Sequence, residues 1–138
     1  MNLKLPLAAA AIATFALVSS TAGREVDLSK LPPPSTKPDV TYATDIRPIL
    51  ENSCVKCHGP NRPKGHLRLD SLQAILKGGE DGKVIEPGHS EKSMLVINIS
   101  HAGDHDDWMP PPRNKAGIKP LTKEQIGLIR AWIDQGAK

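Results

Sequence analysis

The sequence reads Cys54-Val55-Lys56-Cys57-His58 near the middle of a chain of 138 residues. These are the only two cysteines in the chain, so a scaffold of several disulfides is excluded. The pair alone is compatible with a simple disulfide, with half of a zinc site or with a thioredoxin-like redox pair. However, a zinc site needs a second Cys pair and a thioredoxin-like pair needs a βαβ context, and the sequence has neither.

The histidine that follows the second cysteine favours a fourth interpretation. In Cys-x-x-Cys-His, the two thiols can add across the vinyl groups of a haem, and the next residue then lies under the iron as its proximal ligand. Only this interpretation uses His58. We therefore expect one covalently attached haem c, held by Cys54, Cys57 and His58.

The composition agrees with a bound prosthetic group. Only 3% of the residues are aromatic, and beyond residue 22 the aromatic residues are Tyr42, Trp108 and Trp132. So few large side chains make a thin core, to which a haem would add a large apolar disc. The net charge is +3 and the charges are interspersed, with no basic run. With so few aromatic residues to stack on bases, nucleic-acid binding is not expected.

The N-terminal segment has the pattern of a secretory signal peptide over residues 1–22. Lys4 precedes an apolar run of 14 residues, and Ser20 and Ala22 are small residues at the −3 and −1 positions of a cleavage site. The run is shorter than the roughly 20 residues needed to span a bilayer. We therefore expect a periplasmic or otherwise exported protein without stable membrane insertion after cleavage. Residues 23–39 contain four prolines and predict a linker, and residues 40–138 predict one compact domain.

Hydrophobic periodicity and capping residues predict helices within that domain, whereas strand signals are weak. Thr44 and Ser71 are expected N-caps, and Thr122 with Gln125 fits a capping box. The expected helices cover residues 44–56, 71–77, 90–99 and 122–135. A long loop, residues 100–121, lies before the last helix. The sequence therefore predicts a small, mostly α domain with long loops.

Met109 is the expected ligand on the other face of the iron. It follows Trp108 and precedes Pro110-Pro111-Pro112, and such a stiff loop can hold one sulfur in place. Met94 lies in an apolar helical segment, where core filling is the commoner role. His101 and His105 remain alternative iron ligands. Together with the acidic residues of this loop they could instead form a small metal site, whose further members would be Asp104, Asp106 and Asp107.

Supporting roles can be assigned to residues near the motif. A backbone carbonyl should accept the free N–H of His58, and Pro60 or Pro63 could supply it. Arg68 is expected to bind a haem propionate through its guanidinium fork. Three basic residues near the motif could surround the exposed haem edge and steer an acidic partner, namely Lys56, Arg62 and Lys64.

Several stretches together resemble the class I cytochrome c fold, and within it the planctomycete-type cytochrome c domain, over about residues 41–138. The matching stretches are residues 45–50, 54–60, 65–70, 77–79, 87–88, 108–111 and 131–137. The resemblance implies an all-α fold with three main helices, plus short helices and long loops packed around one covalent haem. It also implies iron ligation by His58 and Met109. Trp108, which directly precedes Met109, is a further expected cofactor-binding residue.

The leading hypothesis is a monohaem c-type cytochrome that carries single electrons between periplasmic or membrane redox partner proteins. It would be a monomer and an electron carrier rather than an enzyme. The alternative is a haem-based enzyme or a gas or redox sensor, in which the distal ligand is displaceable. A third hypothesis is a partner-binding module that has a disulfide between Cys54 and Cys57 instead of a haem.

Overall fold

The computed structural model describes residues 25–138. Within this range the chain forms four α-helices joined by 3₁₀ turns and loops, without any β-strand. The helices are α1 (Arg47–Ser53), α2 (Leu72–Lys77), α3 (Met94–Ile99) and α4 (Lys123–Asp134). The predicted all-α class is confirmed. The predicted signal peptide lies outside the described residues, and none of the described helices is long and apolar enough to cross a membrane.

The first helical segment differs from its prediction at both ends. A π-helical turn, Tyr42–Ile46, leads into α1, so the helical chain begins two residues before the predicted residue 44. Thr41, not Thr44, is the N-cap, because the Thr41 hydroxyl accepts the backbone N–H of Thr44. Helix α1 ends at Ser53 rather than at residue 56, since the chain turns immediately afterwards into the Cys54–His58 motif.

The other helices follow their predicted caps with one exception. Ser71 caps α2 by accepting the N–H of Ala74, and Thr122 with Gln125 forms the expected capping box of α4. The predicted helix over residues 90–99 is instead divided into a 3₁₀ turn, Ser90–Lys92, and α3. Ser93 separates the two in an extended conformation, because its hydroxyl accepts the N–H of Glu86 and donates to the carbonyl of His89.

The core lies where α4 packs against α3 and the π-helical turn. The face of α4 that the sequence pattern predicted is buried, and Trp132 is fully enclosed within the same cluster. The ring of Tyr42 lies 6.1 Å from that of Trp132. The aliphatic members of the cluster include Ile46, Leu50, Ile75, Ile85, Val96, Ile126, Ile129 and Ile133. Residues of α1, α3 and the loop after α3 line a common cleft beside this cluster.

The described part of the predicted linker lies along the domain. The carbonyl of Gly127 in α4 accepts the N–H of Ser35, 2.8 Å away, and Arg130 donates to the carbonyl of Pro32. Gly127 is required for this close approach, since a Cβ there would lie 2.8 Å from the carbonyl oxygen of Pro33. The segment contains a 3₁₀ turn, Leu28–Lys30, and it is attached to α4 by hydrogen bonds.

Candidate functional site

The Cys-x-x-Cys-His motif forms a tight turn at the end of α1. The N–H of Cys54 still bonds to Leu50, while the carbonyl of Cys54 accepts the N–H groups of Cys57 and His58 at 3.1 and 2.9 Å. Because both bonds return to one carbonyl, the turn brings the two thiols and the imidazole to the same side of the chain. All three side chains line one cleft.

Both cysteines are free thiols, so the described structure does not contain the disulfide of the third hypothesis. Burial and, to a smaller extent, the neighbouring Cys57 together raise the pKa of the Cys54 thiol to about 11. At neutral pH Cys54 is therefore a protonated thiol. Thiol-disulfide catalysts instead lower the pKa of the attacking cysteine. The environment of Cys54 thus also argues against a thioredoxin-like pair.

His58 is oriented by a backbone carbonyl that its own loop supplies. The Nδ1 atom of His58 lies 3.1 Å from the carbonyl oxygen of Leu67, and the N–H of Leu69 returns a 2.8 Å bond to the carbonyl of His58. The predicted acceptors, Pro60 and Pro63, are wrong. If Nδ1 donates its proton to Leu67, Nε2 of His58 keeps its lone pair as a potential ligand towards the cleft.

Met109 lies in the wall of the same cleft as His58. Its backbone N–H donates to the carbonyl of Asn98 at 3.1 Å, which ties the loop after α3 back to that helix. Met94 lines only the wider part of the cleft, where 42% of its surface is exposed, so its predicted role as core filling is wrong. The structure therefore brings two methionines to the cleft, and Met109 is the one that also lines its narrower part.

The cleft is suited in size and polarity to a large apolar group. Its narrower part has a cavity volume of about 90 Å³, and a wider, more polar part that shares His58 and Met109 has a cavity volume of about 450 Å³. Small-molecule and cofactor pockets typically measure about 300–1,000 Å³. The walls of the narrower part are mostly aliphatic side chains, including those of Leu67, Leu69, Val84, Leu95 and Ile99.

The donor groups fit the expected haem chemically. Cys54 and Cys57 supply two thiols for thioether bonds, His58 supplies an imidazole nitrogen, and Met109 supplies a thioether sulfur. Apolar walls around these groups would cover the faces of a porphyrin, and the polar opening would receive its carboxylates. The four residues would therefore hold a haem between α1 and the loop after α3.

Two predicted cofactor residues are not brought to the cleft. Arg68 is exposed and engaged in a bidentate pair with Asp70, with N–O distances of 2.9 and 2.6 Å. Trp108 stacks on His101, with ring centroids 4.5 Å apart and planes inclined by 2°, and its indole N–H donates to Gly103. Neither Arg68 nor Trp108 is among the residues that line the cleft.

The alternative iron ligands are also turned away from the cleft. His101 faces Trp108 on one side, and the ring of His105 lies 4.6 Å from the same indole. Neither histidine lines the cleft. Among residues 25–138, no group of three or more His, Cys, Asp and Glu side chains is arranged to hold a metal ion, so the acidic loop does not form the considered metal site.

Sequence reasoning missed several residues of the cleft. Lys83 lines its wider part together with the acidic residues Glu80, Asp81 and Asp107. Asn98 lines both parts, although nothing in an apolar helical stretch marked it for a functional role. Of the basic residues expected to surround a haem edge, Lys64 lies at the cleft, whereas Lys56 donates to the carbonyl of Ala116. The opening therefore has charges of both signs.

Comparison with known protein families gives a match. Residues 54–113 match the family model described as Planctomycete cytochrome C. This range begins at the first cysteine of the motif and includes His58, Asn98 and Met109. Comparison with curated proteins and comparison with solved structures each gave no match.

Proposed function

We propose that the protein is an exported monohaem electron carrier whose iron is ligated by His58 and Met109, on the premise that residues 54–113 match the model of the planctomycete-type cytochrome c domain. The single Cys-x-x-Cys-His motif is consistent with one covalent haem c, and the family implies a haem c electron carrier. The ligand pair, the exported location and the redox partner proteins are parts of this proposal.

One observation carries the proposal: the imidazole of His58 and the thioether of Met109 line the same apolar cleft as the two cysteine thiols. A bound haem c supplies an iron that takes up and releases one electron without bond making or breaking in a substrate. The residues around it have simpler tasks. Cys54 and Cys57 fix the position of the group, His58 is oriented by Leu67, and the aliphatic walls exclude water.

The distribution of charge supports a position for the carboxylates of the group. With Arg68 engaged by Asp70, the cations that line the cleft are Lys64 and Lys83, which share its wider part with the acidic residues Glu80, Asp81 and Asp107. Lysine ammonium groups at an opening can bind carboxylates without being fully buried. We therefore assign the propionate end of the haem to this side, which leaves the narrower apolar part to the ring.

The competing hypothesis, a haem-based enzyme or sensor, requires a displaceable or absent distal ligand. Met109 is fastened to Asn98 through its backbone and shares the narrower part of the cleft with His58, which supports a six-coordinate carrier. Potentiometry combined with absorption spectra tests the choice. We expect a reversible one-electron couple, and no carbon monoxide binding by the reduced protein at neutral pH. Rapid carbon monoxide binding or peroxide turnover by the unmodified protein would support the sensor or enzyme instead.

A further inference from the structure

Asn98 is a polar residue in the apolar wall of the cleft. It lies in the last turn of α3 and lines both the narrower and the wider part, as do His58 and Met109. Its side-chain oxygen is buried and has no hydrogen-bond partner within the described residues. A buried polar atom without a partner is costly, which suggests that the side chain meets something the protein alone does not provide.

A second asparagine in the same cleft shows what a purely structural role looks like. The side-chain nitrogen of Asn114 donates to the carbonyls of Pro111 and Ile118, both at 2.9 Å, and its oxygen accepts the N–H of Ile118 at 2.8 Å. Asn114 thus uses its side-chain donors and acceptor within its own loop, which leaves few hydrogen-bonding groups for a bound ligand. Asn98 makes no comparable side-chain bond to its loop.

The chemistry of the bound group limits what Asn98 can do. Haem carboxylates and a methionine sulfur are acceptors, and the porphyrin faces are apolar, so none of them can donate to a carboxamide oxygen. The two ends of an asparagine amide are assigned from their hydrogen bonds and can be exchanged by a rotation of the side chain. With the amide turned, its NH₂ group faces the acceptors of the cleft and the side chain becomes a donor.

The backbone points to one of these acceptors. The carbonyl of Asn98 accepts the N–H groups of Met109 and His101, at 3.1 and 3.2 Å, so residues 98 and 109 are held side by side. We propose that Asn98 is a positioning residue whose side-chain amide donates to the sulfur of Met109 and holds that sulfur in its ligating orientation. This inference rests on the proposed iron ligation and extends it.

The experiment measures how easily an external ligand replaces Met109. Ferric holoprotein is titrated with imidazole in the unmodified chain, in Asn98→Leu and in Asn98→Ala, neither of which has a side-chain donor. Losing one weak hydrogen bond should tighten imidazole binding by about three- to tenfold, and the reduction potential should fall because methionine ligation weakens. Using two variants keeps the test valid if one of them fails to take up haem.

Ser100→Ala is the matched control, because the Ser100 hydroxyl is also buried without a partner near the end of α3 but does not line the cleft. Its imidazole affinity and potential should not change. Unchanged imidazole affinity in both Asn98 variants would overturn the inference. So would a changed pH dependence of the potential at unchanged imidazole affinity, since Asn98 would then bind a haem carboxylate. If the unmodified ferric protein lacks the sulfur-to-iron charge-transfer band, the ligation by Met109 fails instead.

Discussion

At the scale of single residues, His58 shows how backbone groups prepare a ligand. Its Nδ1 atom meets the Leu67 carbonyl at 3.1 Å, and that carbonyl is positioned by a turn in which the N–H of Leu67 bonds to Lys64. The imidazole therefore has a fixed plane and a fixed tautomer as long as this turn holds. An acceptor on a ligating histidine also raises its basicity, which strengthens its bond to a metal.

The two methionines of the cleft allow a matched test of the distal ligand. Met109→Ala should abolish the long-wavelength ferric charge-transfer band and lower the reduction potential by on the order of 0.1–0.3 V, because thioether ligation raises the potential. Met94→Ala, which removes a half-exposed thioether from the wider part only, should leave both properties unchanged. Absorption spectra and potentiometry measure this. If the band survived in Met109→Ala and vanished in Met94→Ala, Met94 rather than Met109 would be the iron ligand.

Tyr42 gives a prediction about pH. Burial raises the pKa of its phenol, and its hydroxyl has no partner among the described residues. The folded state therefore favours the neutral phenol, and this contribution is complete below the unfolded pKa of roughly 10 and is lost as the pH rises through the folded pKa. Tyr42→Phe should be at least as stable as the unmodified protein at pH 7, and its advantage should grow above about pH 10. Denaturant titrations across this range check it, and parallel pH curves for both proteins would contradict it.

Residue types and their spacing were enough to predict Cys54, Cys57, His58 and Met109 as one group, because their chemistry is specific. The partners of these residues were not predictable in the same way. The acceptor of His58 is a backbone carbonyl, which any residue can offer, so the sequence has no signal for Leu67. Arg68 failed for a related reason, since Asp70 two residues later competes for its guanidinium.

At the scale of elements, the loop after α3 is organised to hold Met109. The carbonyl of Asn98 accepts the N–H groups of His101 and Met109, so it holds both ends of the loop. Within the loop, the indole of Trp108 stacks on the imidazole of His101. Lys30 from the N-terminal segment lies 5.7 Å above the same indole and donates to the carbonyl of His101. The rigidity expected from the three prolines is therefore supplemented by contacts of Trp108, which positions the loop without lining the cleft.

Gly127 tests whether the N-terminal segment is attached to α4. Gly127→Ala raises helix propensity by about 1 kcal/mol, but its Cβ would lie 2.8 Å from the carbonyl oxygen of Pro33 and must displace the segment. We expect a net destabilisation of about 1–2 kcal/mol, measured by denaturant unfolding. Faster hydrogen exchange of the Ser35 amide should accompany it.

The control for this substitution is a chain that lacks residues 23–36. There Gly127→Ala should be neutral or stabilising, since the clash is gone while the gain in helix propensity remains. If the substitution destabilised the shortened and the full chain equally, the attachment of the segment to α4 would not depend on Gly127.

Sequence patterns located the helices better than their interruptions. The caps of α2 and α4 were predictable because Ser71 and the pair Thr122 and Gln125 act over three residues. The break at Ser93 was not, because it depends on bonds to Glu86 and His89 across a turn. Attachment of the proline-rich segment depends on Gly127, which lies some ninety residues further along the chain, and local composition has no information on such a contact.

At the scale of the whole molecule, the thin core and the cleft have one explanation. Aliphatic side chains and Trp132 form a core around α4, and Leu67, Leu69, Val84 and Leu95, which belong to this core or pack against it, also line the apolar cleft. Covering such surface contributes about 25 cal/mol for each Å² removed from water. A haem in the cleft would add this contribution to a domain of few large side chains, which is why we expect binding and folding stability to be coupled.

The central claim is that this cleft holds one haem, bound covalently through Cys54 and Cys57. The most direct test is haem-stained denaturing gel electrophoresis, with the intact mass, of the full chain produced where c-type cytochromes mature. We predict one haem for each chain that survives denaturation, and none in the Cys54→Ala, Cys57→Ala double variant. A chain that runs without haem, or whose haem is lost on denaturation while both cysteines are intact, would contradict the account.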